Sequence, residues 1–235
     1  MYNARIEAFR AGETLAGAQA MAPASTDLKR FCRKQVAEII QRASVEFGID
    51  GAPIAIDETR LPIGGYPNIW EAIRASVVPD LDRFWDLLRE TYEADGPAKA
   101  ERQTAATLVR AFGLASSSAV RRSTAFVRLK LVAVSETVSD ALRPSRQLHF
   151  GSLEPVTQAF AALAVFARRN GHAVLASCLA QFHPAEVFES QQRRTFPGLD
   201  VIQYNEYWEL RFATPVADTL LAFVQRHAGM SPQSA

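Results

Sequence analysis

The stretch Leu108–Phe150, LVRAFGLASSSAVRRSTAFVRLKLVAVSETVSDALRPSRQLHF, decides the fold. Leu108, Val109 and Phe112 stand five, four and one positions before Gly113, the spacing that packs the first helix of a helix-turn-helix on the second. Glycine relieves the tight turn. Ala115–Ser118 then offer small hydroxyl side chains that can cap a second helix, with Val120, Thr124 and Val127 along one face. Arg121, Arg122 and Arg128 fall largely outside that stripe. The run Leu129–Val134 is β-prone, Ser135–Ser145 is polar and contains Asp140 and Pro144, and Gln147–Phe150 can return as a partner strand. Arg143 and Arg146 would stand at the hairpin tip. A competing reading keeps the seven-residue rhythm of Val120, Val127, Val134 and makes Ser118–Leu142 one long amphipathic helix. The β-branched density from Val127 to Val138 weighs against it.

Working outward, Leu81, Phe84, Trp85 and Leu88 supply a preceding helix capped by Asp80. The region from about residue 80 to 151 resembles the winged-helix DNA-binding superfamily. That resemblance implies a helix in the major groove and hairpin arginines on the backbone or in the minor groove.

Toward the C-terminus, Ser152 and Glu154 open a helix through Phe166 to Gly171, Val174–Leu179 form another, and Pro184 is expected to start a third with Val187, Phe188, Arg193 and Arg194. Val201–Tyr204 and Tyr207–Phe212 read as a hairpin around Asn205-Glu206. At an offset of 70 positions, Leu108, Phe112, Phe126, Leu129, Leu131 and Val132 fall on Cys178, Phe182, Phe196, Leu199, Val201 and Ile202. A terminal helix follows from Thr214 to Gly229.

In the first third, residues 1–25 read as a poorly packed leader. Leu28, Phe31, Cys32, Val36, Ile39, Ile40, Ala43 and Phe47 form the apolar face of a helix capped at Thr26 or Asp27, a face that could serve as a dimer seam or as core. Ile54–Ile56 reads as a strand, and Asn68–Val78 as a short helix broken before Pro79.

The expected fold is therefore mainly α with short β hairpins, an α+β tandem winged-helix arrangement preceded by an amphipathic helix. Its expected divisions are a leader at 1–25, a helical or dimerisation region at 26–78, a first winged helix at 79–151 and a second at 152–235.

Charge is distributed unevenly. Residues 1–117 carry 14 basic and 16 acidic side chains and residues 118–235 carry 12 and 9, so the net charge passes from −2 to +3. A basic excess attracts phosphates and makes binding salt-sensitive. The residues expected to contact double-stranded DNA are Ser117, Ser118, Arg121, Arg122, Arg128, Lys130, Arg143, Arg146, Arg193 and Arg194. The resemblance implies a transcription regulator or a plasmid-type replication initiator, acting as a homodimer or with a protein partner. The alternative is an assembly subunit of an SMC-type chromosome-organising complex, for which Trp70, Trp85, Tyr204, Tyr207 and Trp208 are candidate anchors.

Other chemistry finds little footing. Cys32 and Cys178 lie far apart without ligand-spaced histidines and read as buried thiols, so neither a metal nor another cofactor is expected. Glu186 and Glu189 near His183, or Asp57 and Glu58 near Arg60, do not fix a nucleophile, a base and an orienting group together, and an enzyme is not expected. Tyr204, Tyr207 and Arg211 could line a small-ligand site. No continuous apolar run approaches the roughly 18 residues of a membrane span, and no signal-peptide core is visible, so a cytoplasmic location is expected.

Overall fold

Strand-period alternation governs the chain from Phe126 to Val132. In the computed structural model, which describes residues 1–16, 24–49, 53–138 and 144–228, Phe126–Val132 is a β-strand rather than part of a long helix. Val127, Leu129 and Leu131 point into the core, and Phe126, Arg128, Lys130 and Val132 point away from it. The fold class is α+β.

The chain divides into two compact units, Met1–Ala100 and Glu101–Ala235. The first is helical, with α1 (Tyr2–Ala16), α2 (Ala24–Glu46), α3 (Ile69–Arg74) and α4 (Leu81–Tyr92). Asn68 caps α3 by accepting from the Trp70 and Glu71 amides, and Asp80 caps α4 by accepting from Arg83 N at 2.9 Å.

Of the expected leader at 1–25, the described residues 1–16 instead carry helix α1, on which Tyr2, Ile6 and Phe9 recur at helical spacing, and residues 17–23 lie outside the described residues. Tyr2 and Ile6 are buried, and the Phe9 ring stacks on Phe31 at 4.3 Å. The face of α2 offered as a dimer seam is likewise used within the unit: Cys32, Val36, Ile39 and Ala43 are all buried there. Ile54–Ile56 forms no strand; Ile54 is instead tied to α2, its amide donating to Ser44 O at 2.9 Å.

Helix α5 (Gly96–Phe112) begins at a close approach, since a Cβ on Gly96 would collide with the Phe47 carbonyl. It ends at Gly113, whose φ of 64° allows Leu114 N to close back on Val109 O at 3.0 Å. This is a Schellman stop. The apolar spacing before Gly113 therefore terminates a helix instead of joining two.

Beyond Gly113 the chain makes a 3-10 turn, Ser117–Ala119, and a two-residue strand β1 (Arg121–Arg122), at the place where the sequence pattern predicts a recognition helix. Three consecutive serines that compete for backbone hydrogen bonds, followed by valine and paired arginines, offer that helix little support.

Strand β2 (Phe126–Val132) leads to β3 (Ser135–Thr137) and β4 (Ser145–Leu148). The pairing differs from the expected local hairpin. β4 pairs with β3 and with β5 (Phe188–Glu189), whereas β2 pairs antiparallel with β8 (Tyr207–Ala213) across some eighty residues of sequence. The larger sheet has the order β1-β2-β8-β7-β6, with β6 at Gln192–Phe196 and β7 at Leu199–Gln203. From Glu101 onward the segments read as two successive winged helices therefore share one sheet and one core, whereas α4, read as the helix preceding the first of them, packs in the core of the Met1–Ala100 unit.

Between these strands lie α6 (Phe150–Arg169) and α7 (Ala173–Gln181), joined by Asn170-Gly171-His172, and the unit closes with α8 (Thr214–His227). Gly171, at φ 80°, repeats the stop seen at Gly113, with His172 N donating to Ala167 O at 2.8 Å. The tight helix pair is thus at 150–181. No third helix starts at Pro184; Arg193 and Arg194 lie on strand β6.

Among the described residues α6 is the one helix long and apolar enough to cross a membrane by length and composition. Its buried residues, including Val156, Phe160, Leu163 and Phe166, belong to the core formed with the inner sheet face. Trp208 sits at the centre of that core, with the Phe160, Phe182 and Phe188 rings within 6.0 Å of it, centroid to centroid. Cys32 is buried, which pushes its thiol pKa up, whereas Cys178 is only half-buried.

Candidate nucleic-acid interface

Cross-strand register assembles a cationic surface that no local sequence window contains. On the outer face of the large sheet Arg121, Arg128, Arg211, Asp200 and Thr195 stand directly opposite one another on five successive strands. A second row runs Lys130, Glu209, Ile202, Arg193. Phe126 lies beyond the first row and Tyr207, opposite Val132, beyond the second. Five cations thus share the face with two carboxylates.

The carboxylates are already engaged. Arg193 Nη2 donates to Asp200 Oδ2 at 2.5 Å, and Arg211 Nε donates to Glu209 Oε1 at 2.6 Å. Arg121, Arg128 and Lys130 make no ion pair among the described residues. Like charges directly opposite on neighbouring strands are destabilising, and Arg121, Arg128 and Arg211 form three in succession. Arg128 Nε is moreover shielded from water without a hydrogen-bond partner among the described residues. A surface that carries such a local penalty is suited to a ligand that removes it.

Aromatic rings interleave with the charges. The guanidinium carbons of Arg128 and Arg211 lie 5.6 Å and 5.2 Å from the Phe126 ring centroid, and Lys130 Nζ lies 4.2 Å from that of Tyr207. Tyr207 also stacks on Tyr204 at 4.8 Å. These contacts hold the long cationic side chains along the sheet.

Of the residues expected from the sequence to contact DNA, Arg121, Arg128, Lys130 and Arg193 come together here. The others do not. Arg122 faces the other way and pairs with Asp218 of α8 at 2.8 Å. Arg146 braces the small sheet, donating to Ser135 Oγ at 2.9 Å, Ser135 O at 2.7 Å and Thr137 Oγ1 at 3.1 Å. Arg194 is bound to Glu186 at 3.2 Å. Ser117 opens the 3-10 turn, and Ser118 Oγ lies 2.8 Å from Ser116 Oγ within it. Arg143 lies outside the described residues.

Arg211 belongs to the face, although the sequence groups it only with Tyr204 and Tyr207. The β2–β8 pairing brings it beside Arg128, and that pairing leaves no local signal. The candidate anchors divide similarly: Trp85 and Trp208 are core, while Trp70 donates from Nε1 to Glu58 at 3.0 Å. Comparison of the chain with protein-family models, curated proteins and solved structures gave no match.

Asp200 limits how positive this surface is. The guanidinium of Arg193 holds its carboxyl below the usual carboxylate range. Its contribution to stability is therefore complete above its unfolded value of about 3.9 and is lost as pH falls through the lower folded value. Asp200→Asn should cost less than about 1 kcal/mol at neutral pH, because the Arg193 partner is well exposed, and less at about pH 2, below the unfolded value of the carboxyl. The same variant should bind a polyanion more tightly at neutral pH, since Arg193 is released. Urea melts at both pH values, with a binding titration beside them, check both signs.

Proposed function

We propose that the chain is a nucleic-acid-binding protein that takes the phosphate backbone on the outer face of its five-stranded sheet. The observation that carries this reading is the register of Arg121, Arg128 and Arg211 with Lys130 behind them, three of the four cations lacking an ion pair among the described residues. Clustered cations on one face release counterions when they meet phosphates, which supplies affinity without sequence specificity.

The winged-helix resemblance supports the reading in a revised form. The order helix α5, strand β2, helices α6 and α7, strands β7 and β8, with β2 joined to β8, resembles a winged helix carrying added strands. On that reading α7 takes the place of the recognition helix. It exposes Ala173, Val174, Ser177 and Ala180 and has no cation, so the sheet is the stronger phosphate-binding surface. Within this reading the biological role is that of a transcription regulator or a replication initiator. One observation favours a second reading, the assembly subunit: Val174, 66% exposed on α7, gives that helix an apolar surface suited to a protein partner.

Fluorescence anisotropy with labelled DNA between 50 and 200 mM salt tests the first reading. A steep loss of affinity is the expected result, and absent or salt-insensitive binding would exclude it.

A further inference from the structure

We infer that the polymer accepted by this face is single-stranded. The inference rests on the nucleic-acid reading and names the form of the ligand. Three observations carry it.

The first is shape. Five strands at about 4.8 Å spacing make a surface about 19 Å across, wider than the roughly 12 Å major groove, which admits a helix or a two-stranded ribbon. A duplex can therefore meet this face only along its phosphates.

The second is the placement of rings. Phe126 and Tyr207 are partly exposed at opposite ends of the cationic rows, six strand residues apart in register and so about 20 Å from one another. Arg128, Arg211 and Lys130 occupy the interval between them. Aromatic rings set among cations on a sheet stack unpaired bases while the cations follow the backbone. Paired bases are stacked inside a duplex and cannot use such platforms.

The third is continuity. Val132, opposite Tyr207, leads within two residues to Val134, whose carbonyl accepts from His149 N at 2.9 Å, and the adjoining Phe150 is 88% exposed. A further exposed ring thus adjoins the segment that follows the Val132 end of β2.

The test compares a labelled 20-nucleotide oligothymidine with a hairpin duplex of equal phosphate number, at one salt concentration and with the full chain. The single strand should bind at least about tenfold tighter, and Tyr207→Ala should weaken it by roughly 5- to 100-fold, while Tyr207→Trp retains it. The slope of affinity against salt should stay unchanged in Tyr207→Ala, because no cation is lost. Should the alanine variant fail to fold, photocrosslinking of a 4-thiothymidine oligonucleotide to the unaltered protein asks the same question, with Phe126, Tyr207 or Phe150 as the expected sites. Equal or tighter duplex binding, or crosslinks confined to other surfaces, would overturn the inference and leave the nucleic-acid reading standing. Binding to neither polymer would remove both.

Discussion

Replacing Arg121, Arg128 and Lys130 together by alanine is expected to weaken binding of a labelled oligonucleotide by about 100-fold at 0.1 M salt. The figure follows from counterion release. Each phosphate neutralised on a single strand contributes about 0.7 to the slope of log affinity against log salt, so three lost contacts flatten it by about 2. The curves converge near 1 M, and one decade of salt below that point separates them by about two decades of affinity.

The effect depends on place as well as charge. Removing Arg122, Arg194 and Arg226 subtracts the same charge, yet Arg122 and Arg194 are paired with Asp218 and Glu186, and Arg226 lies on α8. That variant should keep most of the affinity. Equal losses in the two triple variants would show that net charge, rather than the sheet surface, is what the polymer senses.

The second large effect is on stability. Trp208→Ala is expected to lower the unfolding free energy by about 3–5 kcal/mol, because a fully buried indole leaves a cavity that its surroundings fill only in part. Phe160 on α6, Phe182 at the end of α7 and Phe188 on β5 all rest against this ring. Trp208→Phe should cost much less. The indole Nε1 is buried without a partner among the described residues, so its removal recovers part of what the lost volume costs. Urea denaturation of the three proteins measures the difference; a loss below about 1 kcal/mol for the alanine variant would contradict this account of the core.

Local patterns in the sequence carried much of this structure. The β-prone run beginning at Leu129, the Asn205-Glu206 turn and the helices at 150–181 follow from β propensity, the helical period of 3.6 and turn residues, whereas the strand itself starts earlier, at Phe126, on residues that the sequence pattern assigns to a helix. Pairing over long separations did not show. Nothing within Phe126–Val132 specifies Tyr207–Ala213 as its partner, so Arg211 could not be joined to Arg128 before the register was known.

Gly113 misled for a physical reason. A left-handed glycine after an apolar helix end serves equally well to join two helices or to stop one, and only the hydrogen bond from Leu114 N to Val109 O distinguishes the cases. Arg193 and Arg194 show the consequence of a wrong period. On a helix both could face one way, whereas on strand β6 only Arg193 lies on the outer face. The unit that contains α2 teaches a related lesson: an apolar stripe announces burial without naming the partner, and here the partner is the unit's own core.

Chemical protection measures the central claim most directly. With the full chain, arginines treated with phenylglyoxal and lysines treated with an acetylating reagent are compared by mass spectrometry in the presence and absence of saturating oligothymidine. The sheet account requires Arg121, Arg128 and Lys130 to lose reactivity together while Arg122 does not. Unchanged reactivity at those three residues under conditions where the oligonucleotide is bound, or protection confined to α7 and α8, would place the polymer elsewhere on the molecule.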